Sequence, residues 1–277
     1  MDSVALVKCE DNIRTALEEG IELIGGFETL RSPFIIKPNI CTQVDKTGFA
    51  VTDVNVVEVL IELVLKENRS LSIKIVESDS ESKFADEAFK TFGYKRLAEK
   101  MRKSGLDVSL VNLSRSPTVT VNQEGIYFRN PRFPDVIVGD GFFVSVAVAK
   151  THYLTFVTGT LKNLFGLLPR KDQSFYHPHI NEVIVDLTRF VQPDLCIVDA
   201  RVGLEGWNGP KSRRLDALVV GNNPVSTDAT MARIMGFKPE LIRHLVEADK
   251  YDLGTLNPKV LGKSLKSTVV KFDPPNI

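Results

Sequence analysis

Apolar positions along this chain fall into two periods. Short runs rich in β-branched residues, at 4–7, 34–36, 72–76 and 108–111, alternate with longer stretches whose apolar residues recur three and four apart, at 12–24, 54–65 and 84–103. Strand followed by helix, repeated, predicts a parallel sheet with crossover helices. Thr52-Asp53 supplies an N-cap for the second helix, and Gly93 marks a break in the third. Between Pro117 and Pro134 the pattern changes: Thr118-Val119-Thr120-Val121 and Ile126-Tyr127-Phe128 flank a polar turn and read as a hairpin off the main sheet. The continuous apolar run at 142–149 is a buried strand. A helix is expected at 180–190, strands at 195–198 and 217–220, and a helix from Asn223-Pro224 to Met235, with asparagine as cap and proline in the first turn. A further helix at 239–248 and a last strand at 268–272 complete the reading.

The fold class expected is therefore α/β, a largely parallel sheet flanked by helices with a small β-hairpin excursion. No linker, repeat or low-complexity tract interrupts residues 1–277, which read as a single α/β domain; a division into lobes 1–140 and 141–277 with a cleft between them stays open. Charge changes this picture little. Lys plus Arg equals Asp plus Glu at 35 each, so no global field favours nucleic acid or an anionic membrane, and neither is expected as a partner. The N-terminus lacks a basic segment followed by an apolar one, and no run approaches the roughly 20 apolar residues of a membrane span, so a soluble, cytoplasmic protein is expected. Cys9, Cys41 and Cys196 are odd in number and far apart, which suits neither disulfides nor a four-cysteine cluster; they read as reduced thiols in apolar settings.

Chemistry concentrates between Lys150 and His179, where three of the four histidines lie. Lys150-Thr151-His152 emerge where the 142–149 strand ends, the edge at which open α/β sheets bind ligands. Thr158-Gly159-Thr160 before a short helix would turn backbone N–H groups and hydroxyls outward, with Lys162 and Asn163 one turn along, a setting for phosphate or carboxylate; the plainer reading is a capped helix with a snorkelling lysine. His177 and His179 flank Pro178, so an extended segment would aim both toward one transition metal, with His152 as a third ligand. Acid–base work by His152 and His177 is the competing use, and hydrogen-bonded loop histidines the bland one. Lys37-Pro38-Asn39 also ends a strand. If Lys37, Lys150 and Lys162 converge, the ligand is anionic and one lysine can be catalytic through a burial-lowered pKa. Asp199, at a strand end, and Glu205, in a loop with Gly203, Gly206 and Gly209, could reach the same ligand or a metal. Asp228 sits in the first turns of a helix, where the dipole favours a carboxylate with or without a functional role. Trp207 could stack on a substrate or cover the core.

With these motifs in order, the chain resembles the family called domain of unknown function 362, nearly end to end. The residues that carry the resemblance are Lys37-Pro38-Asn39, Thr52-Asp53, Lys150-Thr151-His152 and Thr158 to Gly166, followed by His177, Val198-Asp199-Ala200, Gly203-Leu204-Glu205-Gly206, Gly209-Pro210 and Asp228. Some relatives carry an appended ferredoxin-like cysteine cluster, which implies coupling to electron transfer. No such cysteine run exists here, so this chain would hold no iron–sulfur cluster itself. After Gly209-Pro210 the family's usual glycine is replaced by Lys211-Ser212-Arg213-Arg214. The segment holding Lys162 and His177 is also similar to the cofactor-attachment region of the nickel-pincer lactate racemase family.

The reading is a soluble enzyme that binds an anionic small molecule at the strand edge and carries out proton or hydride chemistry, as in an isomerase or oxidoreductase. His152, His177 and Lys162 are the catalytic candidates. Lys37, Asn39, Lys150, Thr158, Gly159, Thr160, Asn163, Asp199, Glu205 and Asp228 are the binding candidates, and His177 with His179 the metal candidates. No G-x-S-x-G elbow or Walker-type phosphate loop is present. The alternative is a non-catalytic binding or electron-transfer accessory that docks a separate iron–sulfur partner.

Overall fold

The computed structural model of the protein describes residues 2–27 and 29–275. Strand β1 (Ser3–Lys8) leads through α1 (Ile13–Leu23) to β2 (Phe34–Pro38), and α2 (Val54–Glu67) leads to β3 (Ile73–Glu77). Helices α3 (Ala85–Thr91) and α4 (Tyr94–Lys103), parted at Gly93, precede β4 (Val108–Asn112). Next come β5 (Thr118–Thr120), β6 (Arg132–Pro134), α5 (Asp135–Val138), β7 (Phe142–His152), β8 (Phe156–Thr158), α6 (Thr160–Asn163) and α7 (Ile180–Phe190). The chain ends with β9 (Leu195–Glu205), β10 (Lys211–Gly221), α8 (Pro224–Ile234), α9 (Arg243–Lys250), β11 (Lys259–Gly262) and α10 (Leu265–Thr268).

Helix starts are set by side chains that satisfy free N–H groups. Asn12 Oδ1 accepts from Thr15 N at 3.1 Å, Asp53 Oδ1 from Asn55 N at 2.9 Å, and Asn223 Oδ1 from Val225 N at 2.9 Å and Ser226 N at 3.1 Å. All of these strands but β5 and β6 form one sheet in the order β11-β1-β10-β9-β7-β2-β3-β4, with β8 paired to β7; within it only β10 and β8 run against the others. Because β7 bonds to β2 on one side and β9 on the other, residues on both sides of position 140 share this sheet. Alternate strand residues serve opposite faces. Phe34, Ile36, Val144 and Ile197 pack with α1 to α4, whereas Ile35, Phe143, Ala147 and Val198 pack with α7 to α9. A sheet buried on both faces needs apolar residues of both parities, which is why its strands read as continuous apolar runs.

Topology decides where a cleft can form. The chain steps from β2 to β3 to β4 in one direction, then returns to place β7 on the opposite side of β2. The connections leaving the C-terminal ends of β2 and β7 therefore diverge over opposite faces, opening the crevice of a doubly wound sheet.

Four expectations are corrected. The hairpin exists, but β5 pairs with Arg132–Pro134 rather than with 126–128. The N–H groups of Ile126, Tyr127 and Phe128 donate instead to the buried Asp186 carboxylate, at 2.7, 2.8 and 2.9 Å. A ladder partner would have needed those donors. Residues 203–205 are not a loop but the end of β9, paired with β10. Residues 268–272 are not a strand: α10 occupies their start, Val270 N and Phe272 N bond to Ile234 O and Met235 O, and Phe272 is buried against Gly203 and Leu215. The helix expected at 239–248 is divided into a 3-10 turn, Pro239–Leu241, and α9.

Replacing Asp186 by alanine would leave three N–H donors without an acceptor. Urea unfolding of Asp186→Ala is expected to show a loss of about 3 kcal/mol or more, with a smaller loss in Asp186→Asn, which retains an acceptor oxygen.

Candidate active site

Eight of the catalytic and binding candidates, Lys37, Asn39, Lys150, His152, Thr158, Lys162, Asn163 and His177, line one cavity of about 280 Å³ at the β2–β7 switch, and Trp207 lines it with them. Lys37 and Asn39 come from the end of β2 and the turn after it. Lys150 and His152 end β7, and Thr158 faces Lys150 in the β7–β8 register. Lys162 and Asn163 belong to α6, and His177 to the 3-10 segment Gln173–His179.

Two of these residues hold the wall in place. Asn163 Nδ2 donates to Lys37 O and to Ser145 Oγ, both at 3.0 Å, and so ties α6 across β2 and β7. Asn39 Nδ2 donates to Ala50 O at 2.8 Å, the carbonyl that also receives Lys150 Nζ at 2.9 Å. Glu77, at the end of β3, completes the wall. Its carboxylate accepts from Lys37 Nζ at 2.5 Å, Lys83 Nζ at 2.9 Å and Ser78 N at 2.7 Å. Burial alone would push the Glu77 carboxyl up, but the two ammonium groups outweigh it and hold it at about 2. Gly166 lies against this pair: a Cβ there would come within 2.8 Å of Lys37 Cε, and Ser78 Oγ donates to Gly166 O at 2.5 Å.

Lys162 differs from every other lysine of the cleft. Among the described residues its Nζ makes no hydrogen bond or ion pair; it rests 3.7 Å from the centroid of the Phe165 ring. Burial, and then the charge of Lys150, push it down from 10.5 to about 7. His152 lies deep beside it, driven to about 2 by burial and by Lys162 and Lys150, and is neutral at any physiological pH. Its Nδ1 accepts from Leu154 N at 3.1 Å, which assigns the ring proton to Nε2. His177 is also shifted down, by burial and by Lys162. Thr158 Oγ1 is buried in the wall with no hydrogen-bond partner among the described residues.

The remaining candidates lie elsewhere. Thr160 N, Thr160 Oγ1 and Leu161 N donate to the Asp228 carboxylate at 2.7, 2.8 and 2.9 Å, and a Cβ on Gly159 would overlap it. The turn expected to receive a ligand anion is thus filled by the protein's own carboxylate, whose pKa burial raises to about 6 against these bonds. Gly159, Thr160 and Asp228 do not line the cleft; they anchor the start of α6, which carries Lys162. Asp199 faces a separate cavity of about 200 Å³, where Arg201 bridges it, at 2.7 Å, to Asp53, at 2.9 Å. Glu205 is outside both cavities, bonded to Arg213 at 2.6 Å.

The segment His177-Pro178-His179 is a 3-10 turn and not extended, which parts the two rings: His177 lines the cleft, whereas His179 is exposed against Tyr127. Among the described residues no three His, Cys, Asp or Glu side chains come together as metal ligands. Cys9 and Cys196 are buried as expected, but Cys41 is not in an apolar setting. It lies in the cleft wall, where Lys150 Nζ donates to its Sγ at 3.4 Å. The three thiols are free and scattered, a donor set that does not fit an iron–sulfur cluster.

A family model matches residues 35–233, a span that takes in every residue lining the cleft. The chain belongs to the family described as Domain of unknown function (DUF362). No curated protein matches it. Within the DUF362 span, Glu77 reads in the sequence as the start of a polar edge loop, Glu77-Ser78-Asp79-Ser80, after the third strand, with no role attached to it, whereas Lys83 and Cys41 were passed over as cleft residues. Glu77 carried a usable signal, since it is the first polar residue at the end of a strand parallel to β2. Lys83 and Cys41 lie in loops whose paths no local pattern specifies.

Replacing Glu77 by glutamine leaves Lys37 and Lys83 buried without their counter-charge. Denaturant titration near neutral pH is expected to show Glu77→Gln about 3–5 kcal/mol less stable than the parent. The carboxylate's contribution is fully present above its ordinary value of 4.5 and is lost as pH falls toward about 2, so the difference should shrink over that range.

Proposed function

We propose that the cleft is the active site of an enzyme acting on a small anionic compound whose reacting carbon bears, or adjoins, a carbonyl or hydroxyl group. The observation that carries this reading is the unpartnered Lys162 amine, held at about 7 beside Lys150 and a neutral His152. A group poised near the working pH is the effective one for moving protons. Lys150 and Lys162 supply charge for a carboxylate or phosphate, while Glu77 already neutralises one charge of the Lys37 and Lys83 pair. The Nε2–H of His152 and the hydroxyl of Thr158 are donors for a substrate oxygen. His177, neutral and less buried, serves as the proton acceptor. An isomerase that removes and returns a proton uses all these groups; an oxidoreductase would need a hydride acceptor besides. The cavity volume suits a ligand of metabolite size. Its polar lining supports an enzyme over an accessory that docks an iron–sulfur partner, for which a broad apolar face would be needed.

Two measurements test the reading. Sulfate does not titrate near neutrality, so its affinity reports the charge of the cleft: it should weaken as pH rises through about 7, where Lys162 loses its proton, and Lys162→Met should remove that dependence. Solvent deuterium is expected to enter the carbon-bound positions of one or more small 2-hydroxy or 2-oxo acids in the presence of the protein, followed by NMR. Lys162→Ala or His177→Ala should slow that exchange by about 100-fold or more. A parent protein that exchanges no acid and binds no sulfate overturns the proposal.

A further inference from the structure

We infer that Lys162 is a covalent nucleophile and that the cleft captures a small aldehyde acid or 2-oxo acid as an imine on its Nζ. This rests on the anion-binding reading above and names the electrophile within that substrate class. An amine attacks a carbonyl only in its neutral form, and acceptors around Nζ hold a lysine as the ammonium. Lys37 and Lys83 are tied to Glu77, Lys150 to Ala50 O and Cys41 Sγ, and Lys171 to Leu168 O at 2.8 Å. Lys162 alone of these has no acceptor among the described residues, and it stands over an aromatic face that cannot take its proton. Desolvation beside a second cation is an arrangement known to turn lysine into a nucleophile. With Lys162 at about 7, about half the molecules carry the free amine at neutral pH.

A second, independent observation points to the electrophile. Thr158 Oγ1 is buried in the cavity wall with no partner among the described residues, although Thr158 is only 6% exposed. A buried hydroxyl left unpaired costs about 1–3 kcal/mol, and a ligand oxygen would satisfy it. With the Nε2–H of His152 it provides two donors for the oxygen that gains charge as nitrogen adds. Lys150 remains for the carboxylate.

The step balances within the cleft. The Nζ lone pair forms the N–C bond as the carbonyl π pair moves to oxygen. His177 takes a proton from nitrogen and returns it to that oxygen, giving a carbinolamine; a second proton, from solvent, lets the hydroxyl leave as water while C=N⁺ forms. Ammonium plus carbonyl gives iminium plus one water, with no oxidant or reductant. The iminium acidifies the adjacent C–H, which is the proton chemistry proposed above.

The test is reductive trapping. The full chain is incubated separately with glyoxylate and with pyruvate near neutral pH, treated with borohydride, and read by intact mass and peptide mapping. One adduct per chain on Lys162 is expected, absent in Lys162→Arg and reduced at least about ten-fold in Lys150→Met, which loses the carboxylate's partner. Labelling spread over surface lysines without preference for Lys162, or equal trapping in Lys162→Arg, overturns the imine. So does deuterium exchange into an acid without any trapping of it, in which case proton transfer at this site stands and only the covalent step falls. Absence of trapping, exchange and sulfate binding together removes both.

Discussion

The cleft depends on one carboxylate. Glu77 holds Lys37 and Lys83 at the C-terminal edge of the sheet, with all three side chains nearly excluded from water. Two buried ammonium groups without a counter-charge would repel each other and forfeit their hydration. With Glu77 present they become a wall. The same neighbourhood fixes the path of the chain: Ser78 Oγ donates to Gly166 O, and Lys37 Cε fills the space above Gly166. The segment that carries Lys162 is thereby docked onto the ends of β2 and β3.

A second carboxylate anchors the start of the segment that carries Lys162. Asp228 takes the N–H groups and hydroxyl at the start of α6, so that a helix of one turn is held in place without a ligand. Asp186, in α7, treats residues 126–128 in the same way. In both places a buried acid from a regular helix captures successive backbone donors of an irregular segment. Loops around the cleft are positioned by the scaffold and not by their own propensities.

Lys162 owes its character to exclusion. Its neighbours have acceptors and it has none among the described residues, and burial, then the charge of Lys150, disfavours its protonation. Burial, and then Lys162 and Lys150, keep His152 neutral. The chemistry available to the site thus follows from which side chains were left unpaired once the others had been satisfied.

Local sequence determined the alternation of strands and helices, the caps at Asn12, Asp53 and Asn223, and the strand-end placement of Lys37 and Lys150, because periodicity and capping are short-range effects. The placement of Lys150 to Lys162 at the edge of the sheet was legible for the same reason. What the sequence could not decide were the pairings made over long separations. That Asp228 rather than a ligand occupies the Thr160 turn involves residues 68 apart in the chain. That Glu77 belongs to Lys37, that residues 126–128 serve Asp186 instead of a strand, and that a 3-10 turn separates His177 from His179 were likewise settled only when the sheet brought distant segments together. Short-range patterns state which groups a segment carries, whereas burial and charge, which set the state of those groups, are properties of the assembled neighbourhood.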